Sequence, residues 1–290
     1  MKREESRTER KLASKLSKLI SRRSKKNRER FPSLACYSFD YISNKITIDG
    51  LYERDELILL ANWIKSRHPD KLSLTAIDVG ANIGNHSLFF AKHFEKVFSF
   101  EPNPRVFRLL QINAEMTSNI SAFPFAVSDK AGKATLKIID GNYGGSHLTE
   151  GKMSESDNFI DVNMMCLDQM ASDFGDVGLI KLDVENHELQ ALKGAVNLLK
   201  VQKPIVLFEQ CSEAIKNGKS EVVDYLRTLG YDNFYSIRKQ VNFKDLLCCR
   251  SIGEFRLSIT SFLSGDKISL IRTEIFRQKS YGILVAESSL

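Results

Sequence analysis

Residues 76–85 read Ala-Ile-Asp-Val-Gly-Ala-Asn-Ile-Gly-Asn, and they join an apolar, strand-like run to the helical pattern of Ser87–His93. In open α/β sheets, ligands bind beyond the carboxyl ends of the strands, which is where such a turn lies. Small residues let the backbone approach a ligand, and free N–H groups at the start of a helix favour an anionic group. The residues of this expected ligand-binding loop are Asp78, Gly80, Ala81, Asn82 and Gly84.

The glycine spacing of this loop discriminates between ligands. A dinucleotide-binding turn has the pattern G-x-G-x-x-G, which lets the backbone touch a pyrophosphate. Here Asn82 occupies the second glycine position, and only Gly80 and Gly84 remain. A nicotinamide-dependent oxidoreductase is therefore disfavoured, and a nucleoside without phosphates suits the turn better.

Glu101 strengthens this interpretation. It follows the expected strand Val97–Phe100 and lies 23 residues after Asp78, where an acidic side chain can accept both hydroxyls of a ribose. The alternative is a solvated carboxylate beside the turn Pro102-Asn103-Pro104. Because a glycine loop precedes Glu101 at the right distance, the sequence favours the ribose role.

The rest of the chain alternates strands with helices, which predicts a parallel sheet with helices on both faces. The expected strands are Lys45–Ile48, Leu74–Val79, Val97–Phe100, Ser121–Phe125, Lys133–Ile139, Leu179–Leu182 and Ile205–Phe208. The expected helices are Arg54–Lys65, Ser87–His93, Pro104–Met116, Glu188–Lys200 and Glu221–Leu229. A polar stretch, Asp140–Asn158, has no apolar period. The C-terminal end is expected to be β-rich, with strands at Arg256–Thr260, Ile268–Arg272 and Gly282–Ala286.

Acidic residues follow two of these strands. Asp183 ends the strand Leu179–Leu182, and Glu209 follows Ile205–Phe208. Both should face the crevice that contains Gly80, because the carboxyl ends of parallel strands meet at one edge. Such acids could position a substrate hydroxyl, take its proton or hold a divalent metal, and the sequence leaves all three roles open.

Two more residues are candidates for the same chemistry. Glu185 lies two residues after Asp183, and His147 lies on the loop Gly144-Gly145-Ser146-His147, which is long enough to form a lid. A histidine changes its charge near neutral pH, so it suits proton transfer. The candidate catalytic residues are thus Asp183, Glu185, Glu209 and His147.

The positive charge of the chain is concentrated at its N-terminus. Residues 1–30 contain thirteen Lys and Arg against four Glu, a local charge of +9, whereas the remainder of the +6 chain is at −3. Leu12, Leu16, Leu19 and Ile20 recur at helical spacing among these cations, so an amphipathic basic helix is expected. It is either a solvated extension or a contact for an anionic membrane or another acidic partner.

Composition fits a protein of the reducing cytosol. The sequence contains no run of eighteen apolar residues and no secretory pattern, so no membrane span and no signal peptide are expected. The cysteines show no metal-binding or disulfide spacing and are expected to be free thiols. They are Cys36, Cys166, Cys211, Cys248 and Cys249.

Several of these motifs together resemble the FkbM-type family of class I S-adenosylmethionine-dependent methyltransferases. They are Gly50-Leu51-Tyr52-Glu53, residues 77–84, Phe100-Glu101-Pro102, Lys181-Leu182-Asp183-Val184-Glu185 and Leu192-Lys193-Gly194-Ala195. The resemblance covers about residues 45–210. It implies a Rossmann-like fold and methyl transfer mostly to hydroxyls of sugars, glycolipids or polyketides. Family members usually carry glycine where this chain has Asn186.

The resemblance also assigns parts of the cofactor site. It implies that Asp78, Gly80, Asn82 and Gly84 hold the methionine part of S-adenosylmethionine and that Glu101 holds the ribose. Ala126, Val127 and Ser128-Asp129 resemble the segment beside the adenine. Pro102 and Asn103, which follow Glu101, complete the predicted cofactor site.

Three segments are therefore predicted. Residues 1–31 form the basic extension, residues 32–72 a lead-in strand and helix, and residues 73–290 the methyltransferase domain. Its cofactor half spans about residues 73–140 and its acceptor-side half about 141–290. The predicted acceptor is a small molecule or a glycan, free or lipid-linked.

Two rival functions keep the nucleoside site. A nucleic-acid methyltransferase would use the basic tail as an electrostatic anchor. Against it, the body of the chain is slightly acidic and no N/D-P-P-Y-type motif is present. A non-catalytic nucleoside-binding module is a rival that no sequence feature excludes.

Overall fold

The computed structural model describes residues 7–38, 40–139, 143–149, 158–216, 218–240, 267–274, 276 and 279–289. The first strands are β1 Thr75–Val79, β2 Lys96–Phe100, β3 Ile120–Phe123, β4 Phe125–Val127, β5 Gly132–Ile138, β6 His147–Thr149 and β7 Asn158–Met165. The later strands are β8 Val177–Leu182, β9 Ile205–Gln210, β10 Ile215–Lys216, β11 Lys219–Ser220, β12 Tyr231–Gln240, β13 Lys267–Arg272 and β14 Tyr281–Ser288. The α-helices are α1 Arg7–Arg28, α2 Tyr41–Asp49, α3 Arg54–Arg67, α4 Asn85–Phe90, α5 Pro104–Ala114, α6 Ala171–Phe174, α7 Glu188–Lys193, α8 Val196–Gln202 and α9 Glu221–Thr228.

An eight-stranded sheet forms the centre, in the order β13-β12-β14-β9-β8-β1-β2-β3. The strands from β9 to β3 are parallel, and β14 lies antiparallel between β9 and β12. The strand order reverses between β1 and β8, and such a switch point is where open α/β sheets bind ligands. The Rossmann-like α/β class I methyltransferase fold predicted from the sequence is confirmed.

Alternating side chains of the parallel strands point to opposite faces of the sheet, and each face is covered by an apolar layer. On one face, Ile77 and Ile180 join a core that includes side chains of α7, α8 and α9. On the other face, Ala76 and Leu179 pack with side chains of α3 and α4. Every residue of β1 and β8 is buried, as expected for parallel strands covered on both sides.

A smaller sheet, in the order β4-β7-β5-β6, lies beside the parallel strands. Strand β7 was not predicted from the sequence. Strand β6 falls in the stretch Asp140–Asn158, which has no apolar period, and pairs antiparallel with β5. Residues 140–142 and 150–157 of that stretch lie outside the described residues.

The expected lead-in strand Lys45–Ile48 is wrong, because these residues belong to α2. Asp40 caps the start of that helix, where its Oδ2 accepts a hydrogen bond from the backbone N–H of Ser43 at 3.2 Å. At the end, Gly50 adopts a left-handed conformation with φ of 88°. The two caps stabilise a helix although its β-branched residues favour a strand.

The expected helix Glu188–Lys200 is two helices, α7 and α8, with Gly194 between them. A Cβ at Gly194 would lie 1.9 Å from the carbonyl oxygen of Ser128, so the chain passes too close to that loop for any side chain. The expected strands Ile268–Arg272 and Gly282–Ala286 are confirmed within β13 and β14, whereas Arg256–Thr260 lies outside the described residues.

The basic N-terminal segment is helical, as predicted: α1 spans 22 residues. Within the described part of the chain, every helix is too short or too polar to cross a membrane. Cys36, Cys166 and Cys211 are free thiols, as predicted, and Cys248 and Cys249 lie outside the described residues.

Candidate active site

A cavity of about 280 Å³ opens beyond the carboxyl ends of β1, β2, β8 and β9. It is lined by the four candidate catalytic residues, Asp183, Glu185, Glu209 and His147. It is also lined by five predicted cofactor residues, Gly80, Asn82, Glu101, Pro102 and Ala126. The other predicted cofactor residues do not belong to its described wall: Asp78, Ala81, Gly84, Asn103 and Asp129.

The cofactor loop runs from Gly80 to Gly84 and closely approaches the end of β8. Gly80 has a φ of +71°, and a Cβ there would lie 1.8 Å from the carbonyl oxygen of Asp183. The N–H groups of Gly80 and Ala81 both donate to the carbonyl oxygen of Phe100, at 3.0 and 2.9 Å. Only glycine fits at position 80, which leaves bare backbone at the cavity wall.

Glu101 connects this loop to the start of α5. Its Oε2 accepts from the backbone N–H of Asn82 at 3.0 Å, and its Oε1 accepts from the N–H of Asn103 at 2.8 Å. Burial raises the pKa of Glu101 to about 7, although these two hydrogen bonds act in the opposite direction. A carboxylate has about four lone-pair sites, so each oxygen can accept one more donor from the cavity.

The Asp78 side chain lies on the side of the cofactor loop that faces the protein interior, not on the side that faces the cavity. Its buried carboxylate accepts from Ser87 Oγ at 2.6 Å and pairs with Lys181 Nζ at 3.1 Å. Lys181 also donates to the carbonyl oxygen of Gly80 at 2.9 Å and lies 3.3 Å from Asp183 Oδ2. One buried ammonium group thus connects β1, the cofactor loop and the acid at the end of β8.

A carboxyl-rich end of the cavity is formed by Asp183, Glu185 and Glu209. Burial, followed by the charges of Asp183, Glu53 and Glu185, raises the pKa of Glu209 to about 9, although Lys181 acts to lower it. Burial and Asp183 also raise the pKa of Glu185. At neutral pH, Glu209 therefore carries a proton that it can donate in a hydrogen bond.

His147 and His187 both line the cavity. His147 lies on β6, its Nδ1 is 3.2 Å from the carbonyl oxygen of Gly145, and its charge acts on Glu185. His187 precedes α7, and its Nε2 lies 2.9 Å from Ser128 Oγ. His187 was not predicted as a lining residue, although it follows Asp183 by only four residues.

Two aromatic side chains and one aliphatic side chain of the wall were not predicted from the sequence either. Tyr41, Ile42 and Tyr52 line the cavity but come from the segment before β1. The signal for Tyr52 was its place in Gly50-Leu51-Tyr52-Glu53, one of the motifs on which the family resemblance rests. Tyr41 and Ile42 carry no local signal of this kind.

The carboxylates of the cavity do not form a metal centre with the histidines. Among the residues that the structure describes, no group of three or more His, Cys, Asp and Glu side chains is arranged to hold a metal ion. The arrangement instead offers a proton acceptor, a proton donor and a cradle of bare backbone.

Comparison with known proteins decides the family. The sequence profile of the Methyltransferase FkbM domain matches residues 78–232, which is more than half of the 290 residues. The chain belongs to the FkbM methyltransferase family. The match confirms the resemblance that the sequence motifs indicated, and it includes Asp78, Glu101, Asp183 and Glu209.

Individual relatives of this FkbM family member are distant. It is 31% identical over 129 residues to hexuronic acid methyltransferase AglP of Haloferax volcanii, an alignment of 42% of this chain and 50% of that protein. The chain thus spans about half the length of this curated relative.

Solved methyltransferase structures are similar to this chain at lower identity. Methyltransferase FkbM from Methylobacillus flagellatus KT is 18% identical with a TM-score of 0.40, over 58% of this chain and 40% of that one. Magnesium protoporphyrin IX methyltransferase (ChlM) from Synechocystis PCC 6803, solved with bound SAM, is 10% identical with a TM-score of 0.44, over 91% and 90%.

Proposed function

We propose that the protein transfers the methyl group of S-adenosylmethionine to an oxygen of a small-molecule or glycan acceptor. One observation carries the proposal. Glu101, which follows β2, and Asp183, which follows β8, line the same cavity at the edge of the sheet. The family membership supports the cofactor, and the hexuronic acid methyltransferase supports a sugar acceptor.

The cofactor end of the cavity fits a nucleoside that carries an amino acid. Glu101 has free lone pairs for the two ribose hydroxyls, and the bare backbone at Gly80 leaves room for the methionine part. Ala126 and Pro102 offer an apolar surface to the adenine. Five residues of the proposed cofactor site do not line the cavity themselves, and we assign them the role of supporting its wall. They are Asp78, Ala81, Gly84, Asn103 and Asp129.

When bound, S-adenosylmethionine supplies an electrophilic methyl group on a positively charged sulfur. That methyl group would pass to the acceptor oxygen, and S-adenosylhomocysteine would be the leaving group. Asp183 accepts the proton of the acceptor, and protonated Glu209 donates a hydrogen bond that orients it. Holding the two reactants in line provides most of the rate enhancement. Glu185 and His147 are proposed to assist proton removal.

Replacing Glu101 with Ala tests the cofactor site. We expect the affinity for S-adenosylhomocysteine, the demethylated product, to fall by more than tenfold in calorimetry. Hydrogen bonds to a buried carboxylate contribute about 1.5–3 kcal/mol, and here they serve both ribose and loop. NAD should not bind the wild-type protein.

The matched control is Glu95→Ala, which removes an exposed carboxylate from the segment before β2. Unchanged affinity in a folded Glu101→Ala variant would contradict the ribose assignment. Binding without any methyl transfer to lipid, glycan, small-molecule or RNA fractions would favour the non-catalytic module.

We also propose that residues 1–31 contact an anionic membrane and bring the enzyme to a lipid-linked acceptor at the cytoplasmic surface. Helix α1 contains ten Lys and Arg and one Glu. Its four apolar residues Leu12, Leu16, Leu19 and Ile20 are between 40% and 60% exposed. Each basic residue near an anionic surface contributes about 1 kcal/mol, and apolar side chains add burial at the interface.

A pair of variants with equal charge tests this contact. Leu16→Glu/Leu19→Glu should reduce sedimentation with phosphatidylserine-containing vesicles by at least about tenfold, because it removes the apolar face. Ser14→Glu/Ser21→Glu places the same charge on the polar face and should bind more tightly than the first pair. If both pairs lose binding equally, or if the full chain binds RNA and not vesicles, the membrane proposal is wrong.

A further inference from the structure

One wall of the cavity lies outside the part of the chain that the family profile matches. Tyr41 is the first residue of α2, and Tyr52 lies in the turn between α2 and α3. Their rings meet edge to face with centroids 6.3 Å apart. We refer to Tyr41 and Tyr52 together as the aromatic wall.

The aromatic wall lies at the carboxyl-rich end of the cavity. The pKa of the Tyr52 phenol is raised first by burial and then by the charges of Glu53, Glu209 and Asp183. Tyr52 lines the same cavity as Glu209 and Asp183, and Glu53 follows it directly in the chain. Tyr52 therefore remains protonated and can donate a hydrogen bond in the space where the acceptor must lie.

The position of Tyr52 is fixed by the residue that follows the cofactor loop. Its backbone N–H donates to Asn85 Oδ1, and Asn85 Nδ2 donates to its carbonyl oxygen, both at 3.0 Å. Its ring stacks on that of His86, with centroids 6.5 Å apart and planes 19° apart. His86 in turn lies 3.3 Å from a carboxylate oxygen of Glu53. A surface held this firmly can present a ring face to a ligand.

We propose that the aromatic wall binds an uncharged sugar ring and thereby selects the acceptor, an inference that rests on the function proposed above. A pyranose has an apolar C–H face that packs on an aromatic ring, and its hydroxyls donate to carboxylates and accept from a phenol. Tyr52, Asp183 and Glu209 offer this combination within one cavity.

The charges of the same end discriminate against an anionic sugar. A uronate would bring its carboxylate into a cavity lined by Asp183 and Glu185, where like charges repel each other strongly because the site is partly buried. The nearby ammonium group of Lys181 is already paired with Asp78 and Asp183 and is buried. The carboxyl groups of the cavity thus favour an uncharged sugar over a uronate.

Saturation-transfer NMR on the protein loaded with S-adenosylhomocysteine tests the proposal. The probes are the methyl glycosides of glucose, galactose and mannose, and methyl glucuronide as the anionic counterpart of the glucoside. We expect at least one neutral glycoside to bind, and the glucuronide to bind at least about tenfold more weakly than the neutral probe. Tyr52→Ala should weaken the neutral probe by about tenfold or more, and Tyr52→Phe, which keeps the ring, by less.

The control is Tyr37→Ala, which removes a tyrosine that is not part of the described cavity wall. All variants should bind S-adenosylhomocysteine as the wild type does. If that binding is absent in the wild type, the proposed function fails. If it is present and no neutral glycoside binds, if the glucuronide binds equally well, or if Tyr52→Ala binds as the wild type does, the aromatic-wall proposal is wrong.

Discussion

Lys181→Met is expected to lower the free energy of unfolding by about 3–5 kcal/mol. Removing one partner of a buried ion pair leaves an uncompensated charge in the interior, and that cost exceeds the worth of the pair itself. Lys181 is 7% exposed and Asp78 is 0% exposed, and the ammonium group also holds the carbonyl oxygen of Gly80. Denaturant titration of the two proteins measures the difference.

Two controls give this result its meaning. Lys200→Met removes an exposed lysine of α8 and should change stability by less than about 0.5 kcal/mol. Lys181→Met combined with Asp78→Asn removes both charges and should be more stable than Lys181→Met alone. A Lys181→Met protein as stable as Lys200→Met would refute the central role given to this ion pair.

Asp183→Asn is expected to reduce methyl transfer by about 10²-fold or more while leaving the affinity for S-adenosylhomocysteine nearly unchanged. The amide keeps the shape of the side chain but cannot take the proton of an acceptor, and a lost general base has an effect of this size. The carboxylate is about one third exposed and faces the cavity, so an acceptor can reach it. Transfer of labelled methyl into the acceptor fraction measures the rate.

Asp173→Asn, an exposed aspartate of α6, is the matched control and should be fully active. Addition of a chelator tests whether Asp183 acts by holding a metal ion. Full activity in the presence of the chelator would leave proton removal and substrate positioning as its possible roles. Wild-type turnover by Asp183→Asn would show that Asp183 is structural and is not the base.

The strands of the parallel sheet and the acids at their ends could be predicted because both follow from local patterns. Apolar runs of strand length identified β1, β2, β8 and β9, and the rule that ligands bind at the carboxyl edge placed Glu101, Asp183 and Glu209 on one cavity. The direction of the Asp78 side chain was not predicted. Asp78 and Lys181 are paired in register on β1 and β8, and single opposite charges in two buried strands are the signal that could have identified them.

Features that depend on distant contacts could not be predicted. The β-branched run in α2 suggests a strand, and only the capping contacts of Asp40 and Gly50 show that it is a helix. Tyr52 is held at the cavity by Asn85, which contacts it across 33 positions of the chain, and Tyr41 packs against Tyr52. The residue pattern within either segment gives no indication of such a contact.

The antiparallel strand β14 has a consequence for how the protein is made. It fills the gap between β9 and β12, and Leu284, Val285 and Ala286 in it are completely buried. The ribosome therefore synthesises β9 and β12 well before the strand that pairs with both. Until translation has passed residue 288, the nascent chain exposes two unpaired strand edges, which are sites of aggregation. The sheet therefore closes only after β14 has emerged and has paired with both neighbours.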